Sequence, residues 1–328
     1  MSEPHLILGI GELLWDILPG PRLGSVPVDF SVPGLPAGGA NVALLGGAPA
    51  NFAVMAGRLG DHSAILSRIG LDDLGRKAMN FLDPMPADTG SLQVDHVHPT
   101  GIVTVAFESG EPRYTIHQPA AWDFLELSDE WVRRVERADA ICFGSLAQRN
   151  RVSRQTIQEL VSETSSTCVR VFDVNLRPPF VSAEVIEESL ELATVVKMND
   201  AELPQVLELL GLTVESEIDL RAGAQRLLRE FPELKLAAIT RGARGSLLVA
   251  RDEWDDHPGY PVKVADSIGA GDAFTAALTH YMLRGAPLSK LNEAGNRWGA
   301  WVASQPGAMP ALPDEVRRSI SAAIEDKD

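Results

Sequence analysis

The sequence predicts an α/β protein, in which helices cover both faces of a central, mostly parallel sheet and a small β lid lies beside it. Short apolar runs typical of buried parallel strands alternate with helical segments along most of the chain, which favours a three-layer sandwich. The β-rich runs at 101–107 and 113–117 flank the turn 108–111, the pattern of a hairpin. Because this hairpin interrupts the alternation, it predicts a lid, which we place at about residues 17–45 and 95–120.

Composition and charge narrow the class of protein. The chain has 328 residues, of which 45% are hydrophobic and 23% charged, and no linker divides it, so we expect one domain spanning residues 1–328. Its formal net charge is −16 at pH 7. Because phosphate-backbone affinity depends on Lys and Arg, this charge argues against nucleic acid or an anionic membrane as a partner.

The cysteines and the N-terminal sequence indicate a reducing compartment. Cys142 and Cys168 lie inside apolar runs without CxxC spacing, which predicts buried thiols and neither disulfides nor a Cys-type zinc site. The N-terminus lacks the basic region and the long apolar segment of a signal peptide, and no run of 18 apolar residues occurs. We therefore expect a cytoplasmic protein.

The first strand is expected at residues 5–10 and leads to a candidate ligand-binding carboxylate. A dinucleotide-binding motif is excluded, because Gly9 and Gly11 would require a third glycine where Leu14 stands. Ligands of open α/β sheets bind beyond the carboxyl ends of strands, so Asp16 is placed to accept hydrogen bonds from substrate hydroxyls. Capping of a loop amide is an equally good role for Asp16 by position alone.

A segment rich in Gly and Pro precedes the first helix. Residues 19–48 have no helical period and predict a long excursion from the sheet, whereas residues 49–59 have the apolar spacing of a helix. Gly47 would let the backbone approach a ligand, and Asn51 offers both a donor and an acceptor to a polyol. The near-copy of this motif at 38–41 weakens any argument from the glycines alone.

After residue 128 the alternation continues as a helix at 129–138, a strand at 140–144, a helix at 153–163 and a strand at 169–174. Asp173, Asn175 and Arg177 follow at alternating positions, so an extended chain would aim all three side chains the same way. An arginine there can clamp a substrate or the transferring phosphate. A local pair between Asp173 and Arg177 that closes the turn is the alternative.

The strand predicted at 194–199 ends in a second polar pair. Asn199 with Glu202 is a capping-box arrangement, which would begin the next helix. The same two side chains are suited to hold the water shell of Mg²⁺, since this ion prefers few protein ligands and many waters. One geometry can serve both purposes.

A strand at 235–239 is followed by a glycine-containing turn. The hydroxyl of Thr240 and the amides of Gly242 and Gly245 could cradle nucleotide phosphates. A tight hairpin accounts for the same residues and is the simpler interpretation when the turn is considered alone.

The catalytic turn is predicted at residues 269–272. A strand at 262–265 would lead to it, and apolar spacing predicts a helix after it. The small residues Gly269, Ala270 and Gly271 would let an anion approach the helix amides. Asp272 would then be the base for an attacking hydroxyl. A tightly packed helix start, in which Asp272 only serves the helix dipole, is the alternative.

Taken together, these motifs resemble the ribokinase-like (PfkB) carbohydrate kinases, and bacterial fructokinases most of all. The motifs are Gly11-Glu12 with Asp16, Gly46-Gly47-x-x-x-Asn51, Asp173-x-Asn175-x-Arg177, Asn199-x-x-Glu202, Thr240-x-Gly242-x-x-Gly245 and Gly269-Ala270-Gly271-Asp272. Their order and spacing match over nearly the whole chain. The resemblance implies a ribokinase-like three-layer sandwich with a central mostly parallel sheet and a small β lid.

The resemblance also implies a role for each motif. Sugar hydroxyls would be held by Asp16, Gly47, Asn51 and Arg177. Phosphoryl transfer would use Asp272 as the base, with the amides of Gly269, Ala270 and Gly271. ATP would lie on Thr240, Gly242 and Gly245, with Asn296 near the adenine. Mg²⁺ would lie near Asn199 and Glu202, and a monovalent cation such as K⁺ would lie at Asp266.

The activity implied is in-line transfer of the ATP γ-phosphoryl group to a primary hydroxyl of a small sugar, with fructose as the expected acceptor. Ribose, 2-keto-3-deoxygluconate or a nucleoside are alternative acceptors. A sugar- or nucleotide-sensing protein of the same fold is the alternative from another class, although binding alone would not need Asp272. Residues 21–44 are longer than expected between the Asp16 and Gly46 motifs, which bears on sugar choice and on a homodimer through the lid.

Overall fold

The computed structural model describes residues 4–19, 26–28, 41–108, 111–212 and 219–325. The strands are β1 (Leu6–Ile10), β2 (Leu14–Pro19), β3 (Val26–Val28), β4 (Asn41–Gly46), β5 (His62–Leu66), β6 (Arg68–Gly70), β7 (Ala87–Asp88), β8 (Gln93–Asp95), β9 (Gly101–Glu108), β10 (Glu111–Ile116), β11 (Ala140–Gly144), β12 (Val169–Asp173), β13 (Val195–Asn199), β14 (Leu236–Thr240), β15 (Ser246–Ala250) and β16 (Trp254–His257). The α-helices are α1 (Ala48–Leu59), α2 (Asp73–Leu82), α3 (Asp129–Val135), α4 (Arg151–Ser162), α5 (Ala183–Leu192), α6 (Glu202–Leu209), α7 (Leu220–Glu230), α8 (Ala270–Leu283), α9 (Leu288–Ala303) and α10 (Asp314–Glu325).

A nine-stranded sheet in the order β16-β15-β14-β13-β12-β11-β1-β5-β7 forms the centre of the molecule. From β14 to β7 in this order the strands run parallel, whereas β15 and β16 at one edge are antiparallel. One core packs helices α3 to α7 against the sheet, and another packs α1 and α8 to α10 against the opposite face. The predicted three-layer sandwich is confirmed. None of the described helices is long and apolar enough to cross a membrane.

Burial on both faces explains why the central strands are apolar throughout. In β11, Ile141 and Phe143 belong to one core while Ala140 and Cys142 belong to the other, since successive side chains point to opposite faces. Such a strand has no polar face and cannot show an alternating pattern. Cys142 and Cys168 are both buried and free, as the sequence predicts.

Strands β10-β9-β2-β4-β3 form a second, smaller sheet. The predicted hairpin is present, with Glu108 of β9 opposite Glu111 of β10, while residues 109 and 110 lie outside the described part of the chain. Trp15 of β2 fixes this sheet to α2, because its indole nitrogen donates to the carbonyl of Leu74 at 3.0 Å. Of the long segment at 21–44, residues 26–28 and 41–44 are described and belong to β3 and β4.

A buried ion cluster holds the C-terminal end of α8. Asp61, just before β5, accepts hydrogen bonds from His280 Nδ1 at 2.6 Å and from Arg284 Nη2 at 2.7 Å. Burial would raise the pKa of Asp61, but the bonds and charges of His280 and Arg284 outweigh burial, so the pKa is lowered. The cluster fixes α8 along its axis and thereby fixes where the helix begins.

The strand predicted at 262–265 is wrong. The amides of Ala265 and Asp266 donate to the carbonyl of Ala303 at 2.9 and 3.3 Å, so the segment is bonded to the end of α9, and it belongs to none of the described strands. Val262 and Val264 are 39% and 60% exposed. Their β-branched side chains suggested a strand, but the amides that follow them are bonded to a helix end, and the segment joins none of the described sheets.

Candidate active site

The predicted site residues gather beyond the carboxyl ends of the parallel strands. Asp173 ends β12, Asn199 ends β13 and Thr240 ends β14. The register places Asp173 opposite Lys197 and Asn199 opposite Thr240. Asp272 lies at the start of α8, near the same ends of the strands. The negative charge of Asp173 raises the pKa of the Asp272 carboxyl group, so the two side chains interact. This is the edge at which open α/β sheets bind ligands.

Asp272 is half-buried in the first turn of α8. Its Oδ2 accepts a hydrogen bond from Asn51 Nδ2 at 2.7 Å, across 221 positions of sequence. Burial raises the pKa of Asp272 to about 6, reinforced by the charge of Asp173 and opposed by that of Lys197. A carboxylate with a raised pKa binds a proton more tightly than an ordinary aspartate does, which suits a general base.

Asn51 joins the glycine motif before α1 to the start of α8. The residue is 5% exposed and lies in the first turn of α1. Its Nδ2 donates to Asp272, whereas its Oδ1 is buried with no partner among the described residues. A buried unpaired acceptor is costly unless a ligand or a water donates to it. Asn51 therefore retains an acceptor suited to a hydroxyl.

Asp16 of β2 lies against Gly46 of β4. A Cβ on Gly46 would lie 3.3 Å from Asp16 Oδ2, so the glycine leaves room for the carboxylate. Burial raises the pKa of Asp16 to about 6, although the charge of Arg177 lowers it. The charge of Arg177 also lowers the pKa of Asp272, so one cation interacts with both carboxylates.

The backbone of Glu12 passes so close to position 47 that only glycine fits there. Gly47 has a φ of 120°, and a Cβ there would lie 2.2 Å from the carbonyl oxygen of Glu12. Glu12 in turn accepts the amide of Ala48 on Oε1 at 3.2 Å, while Oε2 is buried with no partner in the described part of the chain. Burial raises the pKa of Glu12 to about 7. Sequence reasoning gave Glu12 no individual role; a glutamate directly after a buried strand is the signal for it.

Lys197 of β13 is a site residue that sequence reasoning missed. Its Nζ lies 3.1 Å from both carboxylate oxygens of Asp173 on β12, and both residues are buried. Burial alone would lower the pKa of Lys197, but the charges of Asp173, Asp272 and Glu202 raise it above its ordinary value. A lysine inside an otherwise apolar strand is the signal that points to this residue.

After β12 the chain turns, which corrects the expectation of an extended path through Asn175. This residue has a φ of 41°, in the left-handed region. Arg177 is exposed and its Nη1 donates to the carbonyl of Leu176 at 3.0 Å. Because Asp173 pairs with Lys197, the alternative of a local pair between Asp173 and Arg177 is also wrong. The charge of Arg177 still lowers the pKa of the site carboxylates.

Asn199 and Glu202 form the reciprocal bonds of a capping box. Asn199 Oδ1 accepts the amide of Glu202 at 2.9 Å, and Glu202 Oε2 accepts the amide of Asn199 at 2.8 Å. The side-chain oxygens of an amide and a carboxylate are the kind of group that can hold Mg²⁺ through waters. Within the described ranges, no three His, Cys, Asp or Glu side chains are grouped to hold a metal directly. A metal with few direct protein ligands is the kind that fits here.

Residues 240–245 form the predicted hairpin between β14 and β15. Gly245 has a φ of 79°, and a Cβ there would lie 1.9 Å from the carbonyl oxygen of His257, so packing requires a glycine. Gly242 has a φ of 58° and open space around its missing side chain. Thr240 Oγ1 makes only a long contact, 3.4 Å, to the carbonyl of Met198. Gly242 is therefore open at its missing side chain, and the Thr240 hydroxyl is only weakly bonded to the described residues.

Asn296 of α9 is 8% exposed and belongs to a hydrogen-bond network. Its Nδ2 donates to Ser246 Oγ at 2.7 Å and to the carbonyl of Asn292 at 2.8 Å, which ties α9 to β15. The amide nitrogen is thus already used within the protein. Asp266 is half-buried, and its Oδ1 accepts the amide of Ile268 at 3.0 Å, which shapes the turn before α8.

The turn at 269–272 begins α8 without a side-chain cap. Gly269 has a φ of 78°, and a Cβ there would lie 2.5 Å from the carbonyl oxygen of Ala308. At Gly271 a Cβ would lie 3.0 Å from Lys197 Nζ. Half-buried Ala270 lies between the two glycines. Uncapped helix amides beside a buried ammonium suit a phosphate group, so the residues present fit ATP.

Relatives of known class share this fold. Residues 30–315 match the pfkB family carbohydrate kinases. A putative sugar kinase of Pyrococcus horikoshii is 32% identical over 271 residues, 80% of this chain and 82% of that protein. Its crystal structure with ATP has a TM-score of 0.76 and 27% identity, covering 96% of this chain and 99% of that chain.

Two fructokinases are similar over nearly the full length. Fructokinase-1 of Oryza sativa is 30% identical over 337 residues, 96% of this chain and 97% of that protein. The fructokinase of Vibrio cholerae, in a form with fructose, ADP and calcium ion bound, has a TM-score of 0.77 and 26% identity. That match covers 96% of this chain and 98% of the Vibrio chain.

The fold and these relatives define a carbohydrate kinase built on a ribokinase-like sandwich. The chain belongs to the pfkB family of carbohydrate kinases, which confirms the resemblance carried by its motifs.

Proposed function

We propose that this chain transfers the γ-phosphoryl group of ATP to a primary hydroxyl of a small sugar, with fructose as the acceptor. The observation that supports the proposal is the 2.7 Å contact between Asn51 Nδ2 and Asp272 Oδ2, which joins a carboxylate of raised pKa to the motif for which we propose sugar binding. Fructokinases that are similar over nearly the whole chain support fructose. The Vibrio cholerae fructokinase structure contains this sugar.

Proton transfer is the task of Asp272 in this proposal. Asn51 holds Oδ2, so Oδ1 is left to accept the proton of the attacking hydroxyl. With a pKa of about 6, the carboxylate is mostly ionised at neutral pH. The acceptor oxygen then bonds to phosphorus as the bond to ADP breaks, while the amides of Gly269, Ala270 and Gly271 stabilise the transferring charge.

The other predicted residues would bind and orient. Sugar hydroxyls would be held by Asp16, Gly47, Asn51 and Arg177, and ATP by Thr240, Gly242, Gly245 and the region of Asn296. Asn199 and Glu202 would hold waters of Mg²⁺, which neutralises phosphate charge when bound, and Asp266 would bind K⁺. The second sheet would act as a lid that excludes water and would carry the contacts of a homodimer.

An ADP-release assay with Mg-ATP tests the proposal. The acceptors are fructose, ribose, glucose, 2-keto-3-deoxygluconate and adenosine, and the proteins are wild type, Asp272→Asn and Asp129→Asn. Asp129 is a matched control, because it is an exposed aspartate in the first turn of α3. General base catalysis contributes about 10² to 10⁴ in rate, so Asp272→Asn should lose at least about 10² while still binding ATP.

The pattern across acceptors decides the substrate. Release that depends on fructose, disappears in Asp272→Asn and persists in Asp129→Asn supports the whole proposal. Release with another acceptor keeps the mechanism and replaces the sugar. ATP binding without release for any acceptor refutes the catalytic proposal in favour of a sensor, and near-normal turnover of Asp272→Asn refutes the assignment of the base.

A further inference from the structure

The buried ammonium of Lys197 lies at the point where β12, β13 and α8 meet. Its Nζ is 3.1 Å from Asp173 Oδ1 and 3.1 Å from Asp173 Oδ2, so one carboxylate holds it from the side of β12. The residue is only 8% exposed. Because the ammonium is buried and bonded to both oxygens of one carboxylate, it is held where these three elements meet.

The ammonium also faces the first turn of α8. A Cβ on Gly271 would lie 3.0 Å from Lys197 Nζ and 3.8 Å from Lys197 Cε, so the absent side chain of Gly271 leaves room for the lysine. Gly271 therefore leaves the ammonium in contact with the helix start. The uncapped amides of this turn and the Lys197 ammonium therefore lie together beside Asp272.

Stability alone gives little reason for this pair. Burying a lysine and an aspartate costs desolvation, and apolar residues of similar volume are often as good or better in such a place. Asp173 itself is 3% exposed, and the residues just before it in β12, Val171 and Phe172, are buried and apolar. A buried charge that costs desolvation and lies beside uncapped helix amides points to a role in the reaction.

We propose that Lys197 is a catalytic residue, whose ammonium contacts the phosphoryl group in transfer, and that Asp173 is the positioning residue that holds it there. This inference rests on the proposed function. As the bond between the acceptor oxygen and phosphorus forms, the bond between phosphorus and the leaving oxygen of ADP breaks, and the hydroxyl proton goes to Asp272. Lys197 keeps its proton and stabilises the charge on the transferring oxygens.

The test separates a role toward phosphate from a role in folding. Lys197→Met alone leaves the Asp173 carboxylate buried and unpaired, so this variant is expected to be less stable. The double variant Asp173→Asn with Lys197→Met removes both charges and should recover a melting temperature near that of wild type. Lys235→Met is the matched control, since Lys235 is exposed just before β14 begins, whereas Asn199 and Thr240 lie where β13 and β14 end.

Two quantities are measured for each protein: the ratio of the ADP and ATP dissociation constants by calorimetry without acceptor, and kcat with the preferred sugar. In the double variant we expect the preference for ATP over ADP to fall about tenfold or more, with ADP affinity within threefold of wild type. We expect kcat to fall about 10² to 10³. Lys235→Met should match wild type in both.

If Lys197 only neutralises Asp173, removing both charges restores a normal enzyme. A double variant that keeps either the ATP preference or kcat within threefold of wild type therefore overturns the proposal. Wild-type protein that binds ATP but phosphorylates no acceptor refutes the proposed sugar kinase function instead. In that case the calorimetric ratio, which needs no acceptor, still decides the contact between Lys197 and phosphate.

Discussion

Individual carboxylates of this site have unusual acidity because burial and mutual repulsion disfavour their charged forms. The pKa is raised to about 7 for Glu12 and to about 6 for Asp16 and Asp272, with burial as the largest cause in each. Several shifted groups that share the charge of one residue, here Arg177, are typical of a functional site. Asp61, in the ion cluster at the far end of α8, shows the opposite shift because His280 and Arg284 compensate its charge.

The rate of phosphoryl transfer should depend on the ionisation of Asp272. A base must be unprotonated, so kcat is expected to be constant at neutral pH and to fall as pH drops through about 6. Well below that value, the fall approaches about tenfold per pH unit. The measurement is kcat at saturating Mg-ATP and sugar between pH 5 and 8. A rate that stays flat down to pH 5 would contradict the role of Asp272.

Asp16 titrates in the same range, so the acidic limb must be assigned with a variant. Asp16→Asn should raise the KM for the sugar, because a hydroxyl partner is lost, yet keep the acidic limb of kcat when sugar is saturating. Disappearance of the limb in Asp16→Asn would assign it to Asp16.

Glu12 should make the stability of the protein depend on pH. Its pKa rises from an ordinary 4.5 to about 7 on folding, so the folded state binds the proton more tightly than the unfolded chain. The resulting stabilisation, about 3 kcal/mol, is fully present below pH 4.5 and is lost as pH rises through 7. Glu12→Gln cannot ionise and should not show this loss.

Urea denaturation of wild type and Glu12→Gln at several pH values checks this prediction. The free energy of unfolding of Glu12→Gln relative to wild type should increase by about 3 kcal/mol between pH 4.5 and 7. Other groups titrate in both proteins and cancel in the comparison. Parallel curves for the two proteins would show that Glu12 ionises normally in the folded state.

Among the helices, α8 begins just after Gly269, where neighbouring backbone leaves no room for a side chain. Gly269→Ala should cost about 1–2 kcal/mol for a left-handed alanine and about 1–3 more for the contact with the Ala308 carbonyl. Gly285, after the same helix, has a φ of 72° with open space around it, so Gly285→Ala should cost only the first amount.

Chemical denaturation and ATP calorimetry distinguish these two variants. Gly269→Ala should weaken ATP binding as well as stability, since relief of the contact moves the helix amides, whereas Gly285→Ala should bind ATP normally. Equal losses of stability would mean that the turn can shift away from Ala308 at little cost.

Elements could be predicted from sequence where a local pattern decides them. The helix predicted at 49–59 begins one residue earlier, at Ala48, and the hairpin at 240–245 is present because glycines permit its turn. The prediction of a strand at 262–265 was wrong. β-Branched residues indicate only a preference for extended backbone, whereas a strand also needs a neighbouring strand to bond its amides. The role of Lys197 was not predicted, because it depends on the residue opposite it on the neighbouring strand, which is Asp173 of β12.

At the scale of the whole molecule, topology brings the motifs together. The strand order places β12, β13 and β14 side by side, so residues separated along the chain end at one edge. The motif sequence predicted which residue types belong to the site. The contact between Asn51 and Asp272 could not be read from either motif, because it depends on how α1 and α8 pack across the same face of the sheet.

The charge of the whole molecule should oppose the binding of ATP. The net charge is −16, and the carboxylates of the site outnumber its cations: Glu12, Asp16, Asp173, Glu202, Asp266 and Asp272 lie with Lys197 and Arg177. The field therefore repels a nucleotide until the local amides hold it. Screening by salt should weaken this repulsion, because the Debye length falls from about 30 Å at 0.01 M to about 8 Å at 0.15 M.

We therefore expect the association rate of Mg-ATP to rise with ionic strength, on the order of threefold over this range, while the KM for a neutral sugar stays constant. Tetramethylammonium chloride is the appropriate salt, because KCl would also supply the cation proposed for Asp266. Stopped-flow binding measures the rate in wild type and Arg177→Gln. Arg177 is exposed at the site, so its removal should slow association and steepen the dependence on salt. An association rate that falls with salt would show that local cations, and not the net charge, govern the approach of ATP.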